Sequence, residues 1–249
     1  MQAPDSHRRA WLRAAAACAV AAAWPLRTRA AARVVEDFAG RKVALPERIE
    51  RIASVGGSPA VNAFLFLFGL GGKIVNGLPA AFGGDAWRYQ RLFAPGIENK
   101  PVVSGPPPAW APNIESLLAT APDLGFVVDA QAAHVLERAG IPAVVLDWYR
   151  DDAVPRSVDL LGQITGNAQR AHAYAAWRAD LLAQIAARLD KLPEARRPRV
   201  LYCRYANLTQ PIMTPANHLI AAAGGRSVTE GNNPLGLDVF PMSAEQIIA

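Results

Sequence analysis

The sequence predicts an α/β protein of two doubly wound α/β lobes joined by one long helix, with the second lobe incomplete. Three observations predict it. Short continuous apolar runs alternate with helical stretches from residue 51 to residue 146, the pattern of a mainly parallel sheet covered on both faces. Residues 167–192 then run without Gly or Pro, with Ala171, Tyr174, Trp177 or Arg178, Leu181, Ile185 and Leu189 recurring at spacings of three and four. The alternation restarts at Val200, but only one clear strand and its partners fit before the last residue.

The elements follow in order. The stretch from Val34 to Val43 reads as a small hairpin turning at Ala39-Gly40. Arg51-Ile52-Ala53-Ser54-Val55 is a short apolar strand ended by Gly56-Gly57-Ser58-Pro59, and a helix follows to Phe68, stopped by Gly69 and Gly71-Gly72. Strand-like Lys73-Ile74-Val75 precedes a glycine-bearing loop and a helix near residues 86–93. Pro101-Val102-Val103 precedes a Pro-rich loop and a helix over residues 113–120; residues 124–128 and 142–146 flank another over 131–139. The long helix has Asn167 as its cap and Pro193 and Pro198 as its stop, and its length of about 35 Å is enough to span two lobes. Beyond it come Val200-Leu201-Tyr202-Cys203, a helix over residues 215–223, Gly224-Gly225 and a helix beginning at Ser243. The organisation is therefore 1–30 leader, 33–166 first lobe, 167–192 inter-lobe helix and 198–249 partial second lobe.

Composition narrows the function. Of 249 residues 51% are hydrophobic and 19% charged, which is the balance of a folded chain. The net charge of +5 is concentrated at the start, where Arg8, Arg9, Arg13, Arg27 and Arg29 face Asp5 alone; the rest carries 21 basic and 20 acidic groups. A nucleic-acid surface is not implied. The leader has a basic segment, an Ala-rich apolar stretch from Ala14 to Trp24 and small residues at 30–32, the three parts of an export signal peptide. Arg8-Arg9 before Trp11-Leu12 resembles a twin-arginine signal, so a periplasmic destination is expected. With Cys18 inside the leader, Cys203 is expected to be a buried strand thiol with no disulfide partner in the body.

Several segments taken together resemble the periplasmic substrate-binding proteins of ABC importers for iron siderophores, haem and corrinoids. They are Asp37-Phe38-Ala39-Gly40-Arg41-Lys42-Val43, then Arg48-Ile49-Glu50-Arg51-Ile52-Ala53-Ser54, and Pro112-Asn113-Ile114-Glu115-Ser116-Leu117-Leu118-Ala119 leading into Pro122-Asp123-Leu124. Gly140-Ile141-Pro142, the long helix, Ala222-Ala223-Gly224-Gly225 and Met242-Ser243-Ala244-Glu245-Gln246-Ile247 complete the order. The resemblance covers residues 34–249. It implies that the family continues for roughly half a lobe more, about one third of a full body. Two departures are specific to this chain: Gly56-Gly57-Ser58-Pro59 replaces a Ser/Thr-rich turn, and residues 104–110 form an unusually rigid Pro-rich loop.

The resemblance implies a ligand cleft lined by loops at the carboxyl ends of the strands, where open α/β sheets bind. On those loops lie Trp87, Arg88, Trp110, Trp148, Arg204 and Tyr205 as ligand candidates, with Tyr89, Tyr149 and Arg150 beside them. Aromatic faces with guanidinium forks suit a large planar or anionic metal chelate. A ferric siderophore comes first in that reading, then haem or a corrinoid, then a nickel or oxyanion chelate; a ligand-free structural or adhesion module is the alternative of another class. Glu115 and Glu245 start helices that, by the resemblance, dock on arginines of the membrane permease, although a carboxylate at a helix start is also an ordinary capping arrangement. No cofactor, nucleic-acid partner or oligomer is expected. Nor is an enzyme: no Walker loop, His-Glu-x-x-His or Gly-x-Ser-x-Gly occurs, His134, His172 and His218 are scattered, and a hydrolase using Asp147 and His172 is the weakest reading.

Overall fold

The structure, a computed structural model, describes residues 33–56, 58–106, 110–147, 152–204, 207–211, 216–229, 243 and 245. The leader and its cysteine therefore lie outside the described residues. The hairpin forms as expected, with β1 (Val34–Glu36) antiparallel to β2 (Lys42–Ala44) and Val35 opposite Val43. Both valines are buried while their neighbours are exposed, which is the alternation of a strand with one covered face. Gly40 takes the left-handed conformation (φ 71°) that the tight reversal requires.

Three parallel strands form the central sheet: β3 (Ile52–Ser54), β4 (Leu124–Val127) and β5 (Ala143–Val145), in that spatial order. Every residue in them is buried, as strands covered on both faces must be. Side chains alternate between two cores. Ile52, Leu124, Phe126 and Val144 pack with Val61 and Leu65 of α1 (Ser58–Leu67) and with Val158, Leu161 and Ile164 of a later helix. Ala53, Val55, Val127, Ala143 and Val145 pack with Leu117 of α3 (Ile114–Thr120) and with Ala132, Ala133 and Leu136 of α4 (Ala130–Arg138). A single parallel bridge joins Ile52 to Ile74 on the other side of β3. The chain thus leaves β3 first to one side and then to the other, and a crevice opens at the carboxyl edge of such a switch point.

Between residues 85 and 165 the structure departs from the sequence expectation at three points. Pro101-Val102-Val103 is not a strand; it lies beside the sheet as a loop, bonded through Pro101 O to Gly77 N and through Val103 O to Asn113 N. The expected helix near 86–93 is divided into a 3₁₀ turn (Asp85–Trp87) and the short α2 (Tyr89–Phe93). A helix absent from the sequence reading, α5 (Ala153–Thr165), precedes the long one. Pro155 disguised it, yet as the third residue of a helix it forfeits only an N–H that has no partner inside the helix.

The long helix is α6 (Ala168–Leu189), and Asn167 is its cap, accepting from Arg170 N at 3.1 Å. Ala171 is its one buried residue, set against Gly162 of α5 so closely that a Cβ on Gly162 would come within 2.8 Å of it. Beyond α6, the expected single strand at Val200 to Cys203 is two short strands with different partners. β6 (Arg199–Val200) runs parallel to β9 (Arg226–Ser227), and β7 (Cys203–Arg204) runs antiparallel to β8 (Asn207–Pro211). Cys203 is accordingly half-buried rather than a core thiol. Helix α7 (Ala216–Ala222) follows, and Gly224 abuts Leu189 at the far end of α6.

Candidate functional site

The carboxyl edge of the first sheet is built around the end of β3. Val55 N donates to Phe126 O at 2.8 Å, after which Gly56 turns with φ 86°. A side chain there would be strained and would meet Val128 at 3.0 Å, so the turn needs glycine. Gly56 N donates to Ser104 Oγ at 2.9 Å, tying the first turn to the Pro-rich loop. The Asn76 side chain then does what a strand neighbour would do. Its Oδ1 accepts from Ser54 N at 2.8 Å and its Nδ2 donates to Ser54 O and Gly77 O, each at 3.0 Å. The amide thereby satisfies backbone groups of β3 that the single bridge at Ile74 leaves over. A second buried amide pair, Asn62 Nδ2 donating to Gln90 Oε1 at 2.8 Å, links α1 to α2.

On this frame sits an aromatic wall. Phe82, at the end of a 3₁₀ turn (Ala80–Phe82), stacks on Trp110 with ring centroids 5.2 Å apart and planes 16° apart. Trp87 meets the same phenyl ring edge-on at 5.1 Å and 79°, and Tyr89 lies 6.1 Å from Trp87. Trp110 sits at φ 48°, a conformation uncommon for a bulky side chain. Its loop is closed by a bridge between Ser104 and Pro112, by Gly105 N to Ala111 O at 2.8 Å and by Trp110 N to Pro106 O at 3.1 Å.

Of the residues singled out in the sequence, the structure thus brings Trp87 and Trp110 together, through a phenylalanine that was not among them. Arg88 lies between Trp87 and Tyr89 with its side chain exposed. Arg204 is placed through its backbone in β7, while Trp148, Tyr149, Arg150 and Tyr205 lie outside the described residues. Glu115 is exposed in the first turn of α3, whose cap is Asn113, accepting from Ser116 N at 3.0 Å. Glu245 is also exposed; a bond from its own backbone N–H, then one from the Ser243 side chain, holds its carboxyl below the ordinary glutamate range. Among the described residues no three His, Cys, Asp or Glu side chains converge as a metal site.

Phe82, Asn76, Asn62 and Gln90 are the residues that sequence reasoning passed over. A phenylalanine in a run of Ala and Gly was the one available signal, since a lone ring in a loop of small residues has to pack on something. Two depressions lie elsewhere. An open groove of about 640 Å³ is lined by Leu67, Arg170, Tyr174 and Trp177, and a pocket of about 240 Å³ by Arg33, Arg48, Ile52 and Lys73. Neither includes a residue of the aromatic wall.

The fold is that of the two-lobed α/β solute-binding proteins, as comparison with solved structures shows. A periplasmic solute binding protein from Veillonella parvula is 24% identical, with a TM-score of 0.66, over 86% of this chain and 64% of that one. The molybdate periplasmic binding protein MolA of Haemophilus influenzae matches at 18% identity and a TM-score of 0.67, over 86% and 70%. The heme binding protein HmuT matches at 17% identity and a TM-score of 0.60, over 86% and 67%. All three are described as binding proteins, and at such identities the likeness is one of fold. This chain spans less than two thirds of the Veillonella protein's length. Scans against protein-family models and curated proteins give no match.

Proposed function

We propose that this chain is the periplasmic solute-binding component of an ABC importer, exported through its leader, which captures a metal chelate in a cleft at the carboxyl edge of its sheet and delivers it to a membrane permease. The observation that carries the reading is the aromatic wall of Phe82, Trp87 and Trp110 at the edge where open α/β sheets take ligands. Its rings offer apolar, polarisable area, and the exposed Arg88 beside them offers a cation for carboxylate or catecholate oxygens. Trp148, Arg204 and Tyr205 complete the ligand set in this reading, with Arg204 and Tyr205 contributed from beyond the long helix. A ferric siderophore is the favoured cargo, followed by haem or a corrinoid and then a nickel or oxyanion chelate. Glu115 and Glu245 are the permease contacts in this reading, both exposed carboxylates, the first in the opening turn of α3. The protein performs no covalent chemistry and acts as a monomer.

Tryptophan fluorescence titrated with ferric siderophores, haemin, a corrinoid, a nickel chelate and molybdate tests the reading. Saturable quenching by one chelate is the expected result. A folded protein that responds to none of them would favour a ligand-free adhesion module.

A further inference from the structure

We propose that Phe82 is a positioning residue, its single ring holding the indoles of Trp87 and Trp110 in one fixed wall and so selecting ligands that present a flat conjugated face. Trp110 occupies a left-handed backbone conformation (φ 48°) that a bulky side chain does not adopt without support. The backbone is held by Trp110 N to Pro106 O, and the indole itself is met by the Phe82 ring, at 5.2 Å and nearly parallel. The same ring receives Trp87 edge-on at 5.1 Å, which is the other favoured geometry of aromatic pairs. The two indoles arrive on separate loops, each closed by its own backbone bonds, Trp87 N to Gly84 O on one and Gly105 N to Ala111 O on the other. Phe82 is the ring common to both contacts. With both indoles already oriented, a planar ligand need not order them on binding, and pre-organisation of this kind raises affinity. A ligand without a flat face gains little from it.

The ligand part of this inference rests on the binding function proposed above, so the test has one arm that does not. Phe82→Leu keeps apolar bulk and removes the ring; Phe82→Tyr keeps the ring. Near-UV circular dichroism of the ligand-free chain reports the packing of the indoles, and a far-UV thermal melt reports the fold. The Leu variant is expected to melt cooperatively, to lose much of the indole near-UV signal and to bind haemin, used as the planar probe, about tenfold more weakly by fluorescence quenching. Molybdate, which has no flat face, should show no such difference between variants, and the Tyr variant should recover both the spectrum and haemin affinity. An unchanged near-UV spectrum in the Leu variant would overturn the positioning role. Equal haemin affinity in all three proteins would overturn the selection for flat ligands. If haemin fails to quench even the parent protein, selection for flat ligands fails with the binding of that probe, while the near-UV comparison still decides whether Phe82 orders the wall.

Discussion

The Asp37 carboxylate is fully buried and accepts five hydrogen bonds: Ala39 N and Arg41 N on Oδ1, and Arg41 Nε, an Arg41 terminal nitrogen and Val145 N on Oδ2. Arg41 also donates to Ala143 O at 2.7 Å and to Glu137 at 2.8 Å, so the segment Asp37 to Arg41 bolts the hairpin to β5 and α4. Removing Asp37 leaves Arg41 its contact with Glu137 but takes the acceptor from the buried Val145 N–H and from the turn. Asp37→Ala is therefore expected to destabilise the protein by about 1–3 kcal/mol, read as a lowered denaturation midpoint. Glu115 and Glu245 make the opposite case, since both are exposed and the lowered pKa of Glu245 keeps it ionised to more acidic pH than an ordinary glutamate. On the importer function proposed above, reversal of both, Glu115→Arg with Glu245→Arg, should impair uptake through the permease while chelate affinity in solution stays unchanged; a matched loss of affinity would place the glutamates in the cleft or the fold.

At the scale of elements, α3 shows how a helix of 7 residues is held from both ends. At its start the Asn113 side chain satisfies Ser116 N, and at its end the Arg51 guanidinium donates to Thr120 O at 2.6 Å and Ala121 O at 2.9 Å. Asp123 returns the tie by accepting from Glu50 N and Arg51 N, both at 2.8 Å. Helices this short are not stable alone, and α3 depends on these caps and on Leu117 packed in the core. Asn113→Ala should cost about 1 kcal/mol in global stability, measured by denaturant unfolding. No change would mean that Arg51 and Leu117 suffice to hold the helix.

Over the whole molecule, order is unevenly distributed. The first sheet has three strands buried on both faces, whereas β6 pairs with β9 over 2 residues each, and Tyr202 and Leu219 remain 54% and 58% exposed. Regions with few buried apolar contacts open at lower free energy. Limited proteolysis is therefore expected to cut within residues 190–229 before residues 33–165, leaving the first sheet with the long helix as the resistant fragment. Equal resistance of both parts would show that the two strand pairs beyond the long helix are small yet firmly held. The proposed export is likewise tested on the whole chain. Arg8→Lys with Arg9→Lys should retain the protein in the cytoplasm if the twin-arginine route is used, and periplasmic accumulation of that variant would leave only a general export signal.

What the sequence determined by itself was whatever depends on local order along the chain. The alternation of apolar runs with helices located β3, β4 and β5, Ala39-Gly40 marked the hairpin, and Asn167 announced its cap, because periodicity, turn geometry and capping act over a few residues. The tertiary structure alone decided which partners those pieces found. Asn76 stands in for a strand neighbour of Ser54, Val200 and Cys203 pair with different strands in opposite senses, and Phe82 gathers two tryptophans that lie 5 and 28 positions further along the chain. Trp87 and Trp110 were legible as candidates because tryptophans in loops stand out; their common support was not. A contact between side chains on separate loops leaves no periodic trace in the sequence, since its energy comes from surfaces that meet only after the sheet has brought the loops to one edge.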